Sequence, residues 1–168
     1  TDYDCPDEVI GKVLGEYESL SELNYLAGQI MELRESDDFW QAVLDLGENT
    51  GSVQELINLT ENLDCFDYLP GVRSDYDLGY YWIEESGCYD TSNLGALANY
   101  IDYESFGRDI RYEEGGMFGD NGYVRSNGGH FVEIYDGNIE NIPEEYRISS
   151  PVVMERAAAE KKNKLLER

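Results

Sequence analysis

Carboxylates are spread through nearly the whole of this chain, and any fold it adopts must accommodate them. Asp and Glu number 36 against 12 Lys and Arg, a formal net charge of −24 with a pI near 4.1. Residues 1–150 hold 33 of the acids and seven of the bases. Repulsion on this scale opposes compaction and persists where something uses it. There is no block of five or six like charges that would mark a disordered tail. A hydrophobic fraction of 41% and 14 tyrosines supply the apolar area that a disordered acidic polymer lacks. At 168 residues the chain is long enough for one sizeable core or two small ones.

Periodicity then sets the order of elements. Residues 1–16 read as a lead-in segment or the end of a preceding domain, with Pro6, Gly11 and Gly15 and no sustained period. Residues 17–64 read as a helical bundle. Ser19 with Glu22 suggests a capping box ahead of Leu20, Leu23, Leu26, Ile30 and Met31, a helix ending near Arg34. Ser36 caps a second helix closed by Gly47, with Asp37 and Asp38 in its first turn. Ser52 with Glu55 opens a third.

Residues 65–150 read as an α+β domain, helices on a small antiparallel sheet. Cys65–Val72 suits an edge strand or loop because of Pro70 and Gly71. Ser74 and Asp77 precede a helix through LGYYWIEES, closed by Gly87, and a short helix runs from Asn93 to Tyr100. Asp102 caps a turn. Ile110–Phe118 and Tyr123–Ser126 then flank the Asn121–Gly122 pair as a hairpin, and HFVEIY alternates as a third strand of a meander. Residues 151–168 read as an alanine-rich helix that would begin at Pro151 and carry bases toward its end.

No catalytic constellation stands out. His130 is the sole histidine, so a histidine-dependent triad has one candidate base and a histidine-rich zinc site lacks its cluster of ligands; at the start of a strand His130 reads as a packed or exposed structural residue. Asp136, Asn138 and Glu140 alternate as in a calcium loop, but Gly137 is misplaced and no glutamate falls at the twelfth position. The glycine-rich pieces EEGGMFGDNG and SNGGH lack the lysine a phosphate loop requires. We therefore expect no metal and no cofactor. Cys5, Cys65 and Cys88 are odd in number and show no C-x-x-C spacing, which reads as reduced thiols in a cytoplasmic protein. No apolar run is long enough to suggest a membrane span.

The charge itself remains to be explained. A solvated face, adaptation to high salt and cation storage each account for it without a partner. Direct nucleic-acid binding is opposed, because an acidic surface cannot release the counterions of a duplex. The inverse is physically sensible: carboxylates displayed on helices can occupy a basic cleft that normally holds DNA. Asp37, Asp38, Asp45 and Glu48, then Glu55 and Glu61, then Asp75, Asp77, Glu84 and Glu85 could form such a trail. Two other readings are a hydrolase built on a carboxylate pair and an acidic module for some other basic protein.

The runs YIDYESFGRDI, GDNGYV and YYWIEESG, with SLSELNYLAGQIMEL before them, resemble the ArdA family of antirestriction proteins, carried by conjugative elements. The resemblance covers about Tyr17 to Val124 and is most specific through Arg108 and Asp109. It implies an elongated, acidic homodimer that mimics DNA and blocks the DNA-binding groove of type I restriction–modification enzymes, at their methyltransferase core, without chemistry. It also implies that most of a small N-terminal domain is missing and that the tail beyond about Asn127 extends past the family pattern. Arg108, Asp109 and Arg111 read as structural, the arginines pairing with neighbours such as Asp102, Glu104 or Glu113 to hold a turn.

Overall fold

The computed structural model describes residues 8–13 and 19–148. The class is α+β, with six α-helices and a three-stranded antiparallel sheet among the described residues. The helix proposed for 151–168 and Cys5 lie outside the described residues, and within the lead-in segment a short helix, α1, spans Glu8–Val13.

Three helices follow: α2 (Leu20–Glu32), α3 (Asp37–Leu46) and α4 (Val53–Thr60). Two of their predicted caps form. Ser36 Oγ accepts from Phe39 N–H at 3.2 Å and Ser52 Oγ from Glu55 N–H at 3.1 Å. Gly47 closes α3 at φ 80°, the left-handed conformation that glycine adopts without a Cβ penalty. The Ser19–Glu22 capping box does not form: Ser19 makes no side-chain cap bond, and Glu22 instead accepts from the Tyr135 hydroxyl at 2.8 Å. The buried faces, Leu26 of α2, Trp40, Val43 and Leu44 of α3, and Leu56, Ile57 and Leu59 of α4, make one core with Phe66, Val124, Tyr135 and Ile142.

The sheet departs from the expected meander. Strands β1 (Phe66–Pro70), β2 (Met117–Phe118) and β3 (Gly122–Ser126) lie in the order β1-β3-β2, so the Cys65–Val72 stretch supplies the edge strand and is the third strand of the sheet. The proposed strand at Ile110–Phe118 is mostly helix. Asp102 Oδ1 accepts from Ser105 N–H at 3.0 Å and starts α6 (Tyr103–Glu114), which Gly115 ends at φ 66°. Only two residues are left to pair as β2.

HFVEIY is not a strand either, because side chains have taken its main-chain groups. Asn58 Oδ1 accepts from Tyr135 N–H at 2.7 Å while its Nδ2 donates to the Tyr135 carbonyl at 2.9 Å. Asn62, one turn on, does the same to Val132 at 2.8 and 2.9 Å. Each amide mimics a peptide group, and the segment is strapped across the bundle, burying Tyr135 and Ile142.

Between β1 and β2 lie α5 (Asp75–Tyr80) and α6. The LGYYWIEES helix changes pitch, and Tyr81–Glu85 is a π-turn in which Ser86 N–H reaches the Tyr81 carbonyl at 2.8 Å. Residues Gly95–Tyr100 form a 3₁₀ helix within the span read as Asn93–Tyr100. Helices α5 and α6 touch backbone to backbone: a Cβ on Gly79 would strike the Tyr103 carbonyl, and one on Gly107 the Asp75 carbonyl. The sheet therefore has the α2–α4 bundle on one face. Against the other lie α5 and α6, through Leu69, Leu78, Ile110 and Tyr123.

Two substitutions test these contacts in chemical denaturation. Asn58→Leu leaves the Tyr135 N–H and carbonyl unpaired, and we expect a loss of about 3 kcal/mol. Gly107→Ala forces α5 and α6 apart and should cost about 3 kcal/mol, whereas Gly71→Ala, with open space around it, should cost less.

Candidate partner-binding surface

Eight of the ten carboxylates read as a trail are exposed: Asp37, Asp38, Asp45, Glu48, Glu55, Glu61, Glu84 and Glu85. Their hydrogen-bond partners are neutral. Asp38 accepts from Asn121 Nδ2 at 3.0 Å, Asp45 from Gln41 Nε2 at 3.1 Å, and Glu55 from Gly51 N–H at 2.6 Å. Glu61 accepts from Gln29 Nε2 at 2.9 Å, and Glu84 from the Tyr103 hydroxyl at 2.7 Å and Thr91 Oγ1 at 3.1 Å. A neutral donor orients a carboxylate without cancelling its charge, so the surface stays negative while its side chains are partly ordered.

Asp75 and Asp77 differ from the other eight. Both are half-buried at the start of α5, where Asp77 accepts from Arg73 N–H at 3.1 Å and Asp75 is held by Arg111. Glu32, Glu35, Glu113, Asp120, Glu133 and Glu140 are exposed too, although no spacing distinguishes them in the sequence. Hydrogen bonds hold three other exposed acids below the usual carboxylate range: Ser92 on Asp90, Ser105 on Asp102, and Asn138 with Asn141 on Asp136. The loop once compared with a calcium site is thus closed on itself through Asp136.

The arginines do not pair as the sequence suggests. Arg108 is exposed, its Nε 3.8 Å from Oδ1 of the adjacent Asp109, a loose contact worth little. Arg111 reaches instead to another helix, with Nε 2.8 Å from Asp75 Oδ1 and Nη2 3.3 Å from Oδ2. Glu113 lies on the far side of α6 and Glu104 two turns away along its axis, whereas Asp75 at the start of α5 lies within reach.

A second centre went unrecognised. Arg125 on β3 donates from Nε and Nη2 to Asp67 Oδ2 at 3.1 and 2.9 Å and from Nη1 to Glu114. Its guanidinium lies 5.3 Å from the Trp82 ring centre. The hydroxyl of the buried Tyr123 donates to Glu114 at 3.0 Å. Cross-strand pairing of Asp67 with Arg125 is the signal, legible only once β1 and β3 are known to be partners.

Asp67 and Glu114 share a guanidinium, so they are not a pair of acids competing for one proton, the arrangement acid/base chemistry uses. His130 is exposed beyond β3. Among the described residues no three His, Cys, Asp or Glu side chains gather as a metal site. No helix among them is long and apolar enough to cross a membrane. Burial pushes the Cys65 thiol up, and Cys88 is exposed; both are free thiols.

Glu84 also marks the acidic surface in a measurable way. Its hydrogen bond pushes the Tyr103 hydroxyl up to about 12, because ionising it would set two negative charges side by side. A raised folded-state value means that the bond's contribution is intact below the ordinary tyrosine value of about 10 and is lost as pH rises through the folded one. In ultraviolet titration Glu84→Gln should bring one tyrosine back toward the ordinary value.

No curated protein matches the chain. Residues 1–125 match the model of the antirestriction protein family ArdA, a span that takes in α1 to α6, β1, β2, all but the last residue of β3 and the Arg111 and Arg125 centres. The strap and the rest of the chain lie beyond it. The chain belongs to the ArdA family of antirestriction proteins.

Proposed function

We propose that this protein inhibits type I restriction–modification enzymes by entering, as a homodimer, the groove in which their methyltransferase core holds DNA. The carrying observation is that exposed acids are oriented by neutral donors while the best-paired arginines face inward. Residues 19–148 hold 27 carboxylates and six arginines, and Arg111 and Arg125 are engaged within the fold. Negative charge thus reaches the surface with part of it oriented, which is what a substitute for a duplex's phosphates requires. Asp37, Asp38, Asp45, Glu48, Glu55, Glu61, Glu84 and Glu85 carry the contact. Asp75 and Asp77 contribute by fixing α5. Inhibition needs no turnover, cofactor or metal.

ATP-dependent cleavage of unmodified DNA by a type I enzyme is the direct assay. Inhibition should be stoichiometric, competed by duplex DNA, and weakened on the order of 10³-fold between 50 and 200 mM salt. Salt-independent inhibition, or equal binding to an unrelated basic protein, would defeat the reading. Single Asp→Asn changes should each cost about 1 kcal/mol or less, since each is an exposed contact. Changing Asp37, Asp38, Asp45, Glu48, Glu55 and Glu61 together should abolish inhibition while leaving the fold intact. Sedimentation should give a dimer.

A further inference from the structure

We infer that the free edge of β1 is a strand-addition site for an extended basic segment of a partner protein. Because β3 is central, one edge of β1 has no strand beside it among the described residues. The ladder shows which groups that edge presents. Asn127 N–H donates to the Cys65 carbonyl at 2.9 Å, and Gly71 N–H to the Asn121 carbonyl at 2.8 Å. With Asp67 opposite Arg125 and Leu69 opposite Tyr123, the odd positions bond to β3 and the even ones face away. Phe66 N–H is already given to the Leu63 carbonyl, and Pro70 has none. The edge therefore offers the Tyr68 N–H as donor and the carbonyls of Phe66, Tyr68 and Pro70 as acceptors, at the two-residue period of an antiparallel strand.

Space exists for the occupant. A cleft of about 630 Å³ touches all five residues of β1. One wall is the start of α3, with Ser36 and with Phe39 stacked on Tyr68 at 5.4 Å, and the other is the π-turn with Tyr81 and Trp82. Main-chain groups between two side-chain walls are what strand-adding recognition uses: backbone bonds give affinity and alternate side chains enter the walls. A short edge ending in proline is also a common device against uncontrolled pairing, which limits the site to a brief segment.

Charge selects the occupant. The lining carboxylates are Glu35 and Asp67, and its one cation, Arg125, is taken up by Asp67 and Glu114. Glu35 is exposed and makes no hydrogen bond or ion pair among the described residues, so a Lys or Arg of the incoming strand would meet a carboxylate at the rim. The inference rests on the reading that the partner is a basic protein, and adds a contact that duplex DNA, with no peptide groups, cannot make.

The test uses the full chain and a ten-residue peptide of alternating Lys and Val, compared with the same peptide N-methylated at alternate residues, which keeps the charge and removes strand bonding. Amide exchange is read by NMR. In the free protein Tyr68 N–H should exchange quickly and Asp67 and Leu69 slowly; the plain peptide should slow Tyr68 at least tenfold and the methylated one should not. Glu35→Lys should weaken the plain peptide severalfold. Equal effects of both peptides, or changes confined to the acidic helices, would overturn the inference. So would protection of Tyr68 that rises with the protein's own concentration, which would make the occupant a second copy. DNA mimicry is judged separately by enzyme inhibition and can fail or survive independently.

Discussion

Positive charge is scarce in this fold, and its placement decides how the parts are joined. Arg111 fastens α6 to the start of α5, and Arg125 fastens the end of α6 to β1 while lying on β3. Each works as a fork on carboxylates, which a lysine could not reproduce. Both are mostly buried, so their pairings escape the screening that makes surface ion pairs weak. Elsewhere amides and hydroxyls do the joining, above all Asn58 and Asn62 beneath the strap.

The two centres depend on the close approach of α5 and α6. Gly79 and Gly107 let the helix backbones meet, and Arg111 then has only a short span to cross to Asp75. The contact also brings Leu78 and Ile110 together over Tyr123 and Leu69, so the apolar layer and the ion pair reinforce each other. The Tyr76, Tyr80 and Tyr103 rings, 5.5 to 6.5 Å apart, pack at the same junction, with the Tyr103 hydroxyl on Glu84.

Much of this was legible in the sequence wherever the signal is local. Ser36, Ser52, Ser74 and Asp102 were readable as caps because capping involves residues three apart, and Pro70 marked an edge. At Ser19 the box is absent: its hydroxyl makes no cap bond, and the Glu22 carboxylate that would complete the other half is engaged by Tyr135, more than a hundred residues away. HFVEIY alternates as a strand should, yet Asn58 on α4 and Asn62 just past its end satisfy its backbone before a neighbouring strand can. The Asn121–Gly122 turn asks for a strand on each side, which points to Ile110–Phe118, and no local signal marks Gly107 as a helix contact or Gly115 as a helix stop. Among the site residues, the exposed acids could be named but not ranked, since exposure is their only common property. Arg125 was invisible until its strand had a partner.

Fastening the strap with amides has a consequence for how the protein responds to its surroundings. Added salt screens mutual repulsion among the surface acids and leaves the bonds of Asn58 and Asn62 essentially unchanged. Folding is therefore favoured by the same ions that loosen an electrostatic grip on a basic partner. On the proposed mode of binding, the molecule would be released without being loosened, and a rise in ionic strength would free an intact protein ready to bind again.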